Sequence, residues 1–422
     1  MNLNMYCARI NNRFRELWEY KIFRIAIIWH LIYFLLSIVL TLNFFRYQTD
    51  FRVYFMAGEV FLHNINDLYT FDFTCPFRYL PISAALFVPF FLMGFDLGFI
   101  IFNIFNLILN IFICLVLYKI IILIRKEDHE KDNKKVIFYI CIFLMGLPQL
   151  YNYILGQINL YVTFLLLVSL YIFLIHKSLK WDLFSSFILG ISIIIKPSLF
   201  LLIPFLLVFQ IDFKKSKINF DFFRSLIRIT GVLAPTFFNI IFFFLYPPLL
   251  EGFLDTNLTG DNPIAQSFSF SISQLIINFY YFYNIPFNQI FILVGVIGII
   301  GGFGFLIFIF RRFEDNSIIF SYVIGILIML LAYFDSWDHH LLNLIPILII
   351  IIFNLPKHSK NKSSIIYSLF FFSFFSLMFS GIWMITFQVF PYNFIPTLFL
   401  FIVFYGISKY WLLKEKQIDM ES

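Results

Sequence analysis

Residues 22–42 read IFRIAIIWHLIYFLLSIVLTL, and residues 49–54 follow closely as TDFRVY. The first stretch is about 20 residues of nearly unbroken apolar side chains, enough as a helix to cross the ~30 Å hydrocarbon core of a bilayer. Arg9, Arg13, Arg15, Lys21 and Arg24 precede or open it. A signal peptide has a shorter apolar core and a small-residue cleavage site. The run therefore predicts a retained first span with residues 1–21 in the cytoplasm, and Asp50 where the chain re-enters water on the far side.

The rest of the chain repeats this pattern. Of its 422 residues, 61% are hydrophobic and 13% charged, against about 45–50% and about 25% in an ordinary globular domain. No soluble core can hide that much apolar surface, so the bilayer must be its solvent. Apolar runs at 22–42, 77–94, 98–124, 136–155, 157–176, 183–210, 226–247, 288–310, 318–334, 341–354, 365–385 and 394–412 predict an all-α polytopic membrane protein of about 12 transmembrane helices. Lipid leaves no partner for unpaired backbone groups, so each run should be helical.

The charges fit this topology with one exception. Lys214, Lys215, Lys217, Arg224 and Arg228, then Arg311 and Arg312, then Lys357, Lys360 and Lys362 fall inside, as does the tail at 413–422. The outer loops at 43–76, 248–287, 335–340 and 386–393 are poor in Lys and Arg. The exception is the basic loop 125–135 (RKEDHEKDNKK), which twelve plain crossings place outside. Either its four acids offset its cations, or 77–94 is re-entrant and 183–210 folds back at Lys196-Pro197. Twelve plain crossings are the simpler expectation. No soluble domain interrupts the pattern. A nucleic-acid partner would need a basic face with stacking aromatics, which is missing; membrane lipids are the expected surroundings.

Polar residues that can carry chemistry cluster in the outer loops. Asp50 sits just past the first span, where a carboxylate can take a proton from a hydroxyl. Arg52 and Arg78 can hold a phosphate through charge-assisted hydrogen bonds. Read blandly, Asp50 and Arg52 are ordinary juxtamembrane polar residues. Asp335-Ser336-Trp337-Asp338-His339-His340 lies between two spans. It reads as a phosphate or sugar site, as a metal site or as a plain loop. Adjacent ligands on one turn seldom converge and no HExxH-type pair exists, so no metal or other cofactor is expected. Lys196, within an apolar run, suggests lipid-phosphate binding or a helix break, with snorkelling as the alternative. Gln157 and Asn159 open a span and can bind sugar hydroxyls or cap a helix. Asn103, Asn106 and Asn110 share one helical face and read as interhelical glue. Cys114 and Cys141 read as small buried hydrophobes, and Asn257-Leu258-Thr259 matches the glycosylation sequon.

Taken together, these stretches resemble glycosyltransferase family 87 of the membrane GT-C superfamily. The resemblance is carried by Asp50-Phe51-x-x-Tyr54 with Ala57, Leu68-Tyr69, Phe77-x-Tyr79-x-Pro81 with Pro89, Gly156-Gln157-x-Asn159 and Lys196-Pro197. It is dense over residues 45–210. Many relatives place a glycine before the Leu-Tyr pair, where this chain has His63-Asn64-Ile65-Asn66-Asp67. The resemblance implies a GT-C fold and a polyprenyl-phosphate sugar donor, usually mannose and sometimes arabinose. It also implies a lipid- or glycan-linked acceptor and inverting transfer on the outer face of the cell membrane. Asp50 would be the base. His339 or His340 would lie near the donor phosphate or the acceptor, and Tyr54, Tyr79 and Asp338 join Arg78 as candidates to line the substrate site. Two other activities share the hydropathy. A flippase of lipid-linked sugars would show matching broken helices in two halves. A surface-glycan polymerase or ligase would carry Arg and His in a late outer loop, and 248–287 has neither.

Overall fold

The computed structural model describes residues 15–70, 75–125, 133–212, 217–258, 269–311, 317–356, 359–378 and 394–412. Lys214, Lys215, Arg312, Lys357, the outer loop 386–393, most of loop 125–135, Thr259 of the sequon and both chain ends lie outside these residues. Among the described residues six helices are long and apolar enough to cross a bilayer: α1 (Lys21–Phe45), α4 (Phe95–Ile124), α5 (Asn133–Leu155), α9 (Phe222–Leu245), α12 (Gln289–Ile309) and α16 (Ile395–Leu412). Shorter apolar helices stand among them: α3 (Pro81–Leu92), α6 (Asn159–Ile175), α8 (Pro197–Leu206), α13 (Ser317–Ala332) and α14 (Asp338–Asn354). The set is completed by α2 (Asp50–His63), α7 (Leu179–Ile195), α10 (Pro247–Leu258), α11 (Ile272–Phe282) and α15 (Lys360–Phe374). Among the described residues the strands are β1 (Phe209–Asp212) and β2 (Lys217–Phe220), an antiparallel pair with Phe209 opposite Phe220.

The outer helices are apolar on every side, yet pack by a stripe. In α1 the buried residues are Phe23, Ala26, His30, Tyr33 and Ser37, three or four apart. Ile25, Ile28, Trp29, Ile32, Leu35 and Val39 face outward. Large exposed apolar side chains on a helix of this length make a lipid-facing surface. α13 and α14 form the axis of the bundle and are buried along their whole apolar length. Burial beside lipid gains little from the hydrophobic effect, so close approach and interhelical hydrogen bonds specify the packing. At Gly190 of α7 an added Cβ would lie 2.3 Å from Val232 O and 2.9 Å from the Pro235 ring of α9.

The asparagine stripe of α4 is interhelical glue, as its spacing suggests. Asn110 Nδ2 donates to Gln149 Oε1 (3.1 Å) and Gln149 Nε2 returns a bond to Asn110 Oδ1 (3.0 Å). Asn103 Nδ2 donates to Tyr153 O (3.1 Å), and His30 of α1 meets the Tyr153 hydroxyl at 2.8 Å. Cys114 and Cys141 are buried thiols.

Two runs differ from plain crossings. Leu80 N, just before α3, donates to Ile194 O near the end of α7 (3.3 Å). Just after α3, Asp96 pairs with Arg46 at the end of α1 (2.9 Å). Both ends of α3 therefore lie at one end of the bundle. The second is 183–210, which is two helices instead of one. Lys196 leaves helical geometry (φ −141°, ψ 89°), Pro197 opens α8, and the chain turns back. Proline has no N–H to continue the ladder and its ring clashes with the preceding turn. As a result, the end of α4 and the start of α5, which border the basic segment, lie at the same end as the start of α1, in keeping with the distribution of charge.

Candidate active site

One end of the bundle holds an open cleft enclosing about 740 Å³, its mouth included. Its polar lining comes from segments far apart in sequence: Asp50 and Tyr54 from α2, Arg78 and Tyr79 before α3, Gln157 between α5 and α6, Lys196 between α7 and α8, Asp335 between α13 and α14, and His339 and His340 from the first turn of α14.

Local chain chemistry explains why Asp50 faces this cleft. Thr49 caps α2, its Oγ1 accepting from Arg52 N (3.3 Å), so Asp50 occupies the first helical position. A negative charge is favoured there by the exposed amides and the helix dipole. The loop that carries Gln157 turns at Gly156, which has φ +63°. A Cβ there would lie 2.6 Å from Phe51 Cβ, so only glycine lets α2 and this turn meet.

Gln157 then orders the centre of the site. Its Nε2 donates to Asp50 Oδ2. Its Oε1 accepts from Tyr54 OH (3.0 Å) and Asn159 Nδ2 (3.4 Å). Those two donors fix the amide so that its NH2 end, not its oxygen, meets the carboxylate. Behind it Lys196 Nζ donates to Asn159 Oδ1 (2.7 Å), and the hydroxyls of Tyr54 and Tyr79 lie 2.6 Å apart. Arg78 Nε stands 3.7 Å from Asp335 Oδ2, its guanidinium over the Phe334 ring, and it also donates to Thr256 O.

Asp50 is half-buried, and desolvation is the main cause that lifts its carboxyl from the ordinary 3.8 to about 7. The Gln157 hydrogen bond opposes that rise, Asp335 adds to it by like-charge repulsion, and Lys196 pulls the other way. A carboxyl near 7 can both accept and return a proton at neutral pH. His340 Nδ1 accepts from Trp337 N (3.3 Å), so a neutral His340 carries its proton on Nε2. His339 Nδ1 is buried with no hydrogen-bond partner among the described residues, and its ring lies 4.3 Å from that of His340.

Eight of the residues singled out from the sequence therefore share one cleft: Asp50, Tyr54, Arg78, Tyr79, Gln157, Lys196, His339 and His340. Arg52, Asn159 and Asp338 do not line it. Arg52 lies over the Tyr47 ring at 4.6 Å. Asn159 sits behind Gln157, and Asp338 is buried and accepts from Ser376. Asp335 and Trp337 entered the sequence reasoning only as part of the 335–340 stretch and Asn257 only as a sequon, while Tyr333, Ser198 and Cys75 were given no role; all six line the cleft. For Asp335, the signal was a carboxylate at a span boundary. Asn257, which also opens the sequon match, accepts from the Tyr333 hydroxyl (3.2 Å). Among the described residues no three His, Cys, Asp or Glu side chains gather as a metal site would need.

A helical bundle with lipid-facing walls and a polar cleft at one end, lined by a carboxylate, cations and histidines, is the architecture of a membrane-embedded enzyme. The profile of glycosyltransferase family 87 matches residues 77–333, more than half of the chain. The protein belongs to that family and is a membrane glycosyltransferase. No curated protein and no solved structure matches it. Arg78, Tyr79, Gln157 and Lys196 fall within the matched stretch, whereas Asp50 and the two histidines flank it.

Proposed function

We propose that the protein moves a hexose, with mannose the expected sugar, from a polyprenyl-phosphate donor to a lipid- or glycan-linked acceptor, inverting the anomeric carbon, with Asp50 as general base. The observation that carries the reading is the Asp50 carboxyl, raised to about 7, opening onto a cleft shared with Arg78, Lys196 and His340. The acceptor hydroxyl loses its proton to Asp50 as its oxygen attacks the sugar C1. The C1–O bond to phosphate breaks with its electron pair going to the phosphate, and polyprenyl phosphate leaves. Arg78, Lys196 and a histidine N–H are the donors available to that phosphate. Holding acceptor, base and phosphate in line supplies ~7–11 kcal/mol of barrier lowering.

Membrane placement belongs to the same proposal. Taking the ends of each helix together, α1, α4 to α9 and α12 to α16 make twelve passes, with α2, α3, α10 and α11 lying on the outer side. This arrangement counts α7 and α8 separately and leaves out α3. It puts Lys177, Arg224, Arg311 and the basic loop 125–135 on the side of the N-terminus. That is the cytoplasmic side by the excess of Lys and Arg, in the cell membrane, with both termini inside and the cleft outside.

The deciding experiment is transfer from radiolabelled polyprenyl-phosphate mannose in isolated membranes, comparing wild type with Asp50→Asn. General-base loss should cost about 10²–10⁴-fold at unchanged protein level. An Asp50→Asn enzyme with full activity would remove Asp50 from the mechanism.

A further inference from the structure

A second cleft, larger than the first, opens at the other end of the bundle. It encloses about 1570 Å³, mouth included, and lies where α6 ends, α7, α9 and α13 begin, and the β1–β2 hairpin folds over. The α6 helix runs 17 residues from the Asp50 end to this one, so about 25 Å separates the two clefts. The reaction described above makes no use of it.

Its charge is unbalanced. Lys177, Arg224, Arg228 and Arg311 face only Asp182 and Asp221 among its lining residues. Asp182 is shared: Oδ2 lies 2.7 Å from Arg224 Nε and Oδ1 lies 3.2 Å from Arg228 Nη2. Arg311 is 7% exposed, and no carboxylate among the described residues pairs with it. Its Nη1 donates to Phe209 O (2.8 Å) and to Phe308 O, and its guanidinium lies over the Phe308 ring. Backbone carbonyls and a ring face orient an arginine without neutralising it. Among the described residues Arg311 is thus a buried cation without a counter-ion, which is costly, and a bound anion relieves that cost.

The rim shows what carries the anion. Ile218 and Phe220 line the cleft and are 65% and 51% exposed. Phe222 and Phe223, at the start of α9, are exposed beside them. Exposed apolar side chains at this depth suit acyl or prenyl chains and make a poor fringe for a soluble anion. Basic pockets between membrane helices commonly take lipid phosphates.

We infer that this cleft binds the phosphate group of a membrane lipid, with Arg311 and Arg224 as its ligands and the aromatic rim along its chains. A phospholipid head group and a polyprenyl monophosphate share this chemistry, and the experiment separates them. Full-length protein in detergent is titrated with phosphatidylglycerol, polyprenyl monophosphate, phosphatidylcholine or inorganic phosphate, and bound lipid is counted by native mass spectrometry. The polyprenyl arm uses an Arg78→Gln background, so that the outer cleft does not contribute. Whichever of the first two lipids binds more tightly is the occupant. Arg311→Gln and Arg224→Gln should each weaken it about fivefold. Asp182→Asn, which frees two arginines, should tighten it. If Arg311→Gln does not fold, the Asp182→Asn result decides. Equal affinities in wild type and all three variants, or inorganic phosphate competing as well as the lipid, would overturn the assignment. Because the readout is binding, an inactive transferase reading leaves this test intact.

Discussion

Removing the Gln157 side-chain amide should move the pH dependence of transfer more than its ceiling. Among the described residues Gln157 is the one side chain that donates to Asp50, and it opposes the rise that burial imposes on this carboxyl. A hydrogen bond to a charged group contributes about 1.5–3 kcal/mol, and a unit of pKa corresponds to about 1.4 kcal/mol. In Gln157→Leu the base should therefore titrate about one to two units above its present value near 7. With the base ionised in about half of wild-type molecules at pH 7, the variant would hold between about 1% and 10%. Its rate at pH 7 should fall roughly 5- to 50-fold, with most of that loss recovered near pH 9. The assay is transfer of radiolabelled mannose in membranes, followed from pH 5.5 to about 9.5 under limiting donor. A uniform drop with an unshifted acid limb would refute the reasoning, because it would make Gln157 a substrate ligand and not a partner of the base.

Arg78→Gln should raise the donor KM by roughly tenfold to a hundredfold, the worth of a charge-assisted bond, and Arg78→Lys should recover part of it; an unchanged KM removes Arg78 from the phosphate site. Asp50→Asn also has a stability signature. Below pH 3.8 the folded and unfolded carboxyls are both protonated, and between there and about 7 only the folded one keeps its proton. Wild-type stability therefore falls as pH rises through that window. The variant should gain thermal stability over wild type at pH 8 relative to pH 4; no relative gain contradicts the burial argument. Gly190→Leu should lower detergent stability by at least about 1–3 kcal/mol through overpacking against α9. Gly295→Ala, with open space around it, should stay within about 0.5 kcal/mol. In a cysteine-free background, Arg125→Cys and Arg52→Cys should label from opposite faces of sealed vesicles. Labelling from one face would refute the passage of α4 across the membrane.

The sequence alone determined that this is a helical membrane protein, because length and hydropathy suffice when lipid is the solvent. It also marked Asp50, Arg78, Gln157, Lys196 and the His339-His340 pair, since polar groups next to long apolar runs are costly unless used. It did not determine which apolar runs traverse the bundle. The run at 77–94 and the run at 183–210 look alike by hydropathy. Only the contacts of Leu80 and Asp96, and the turn at Lys196-Pro197, show that α3 begins and ends at one level while α7 and α8 run back to back. Nor could spacing show that Asn159 and Asp338 stand behind the cleft while Asp335 faces it. Which side of a helix or loop meets the cavity is set by partners distant in sequence, Ser376 for Asp338, Lys196 and Asn343 for Asn159 and Arg78 for Asp335, and hydropathy carries no record of such pairing.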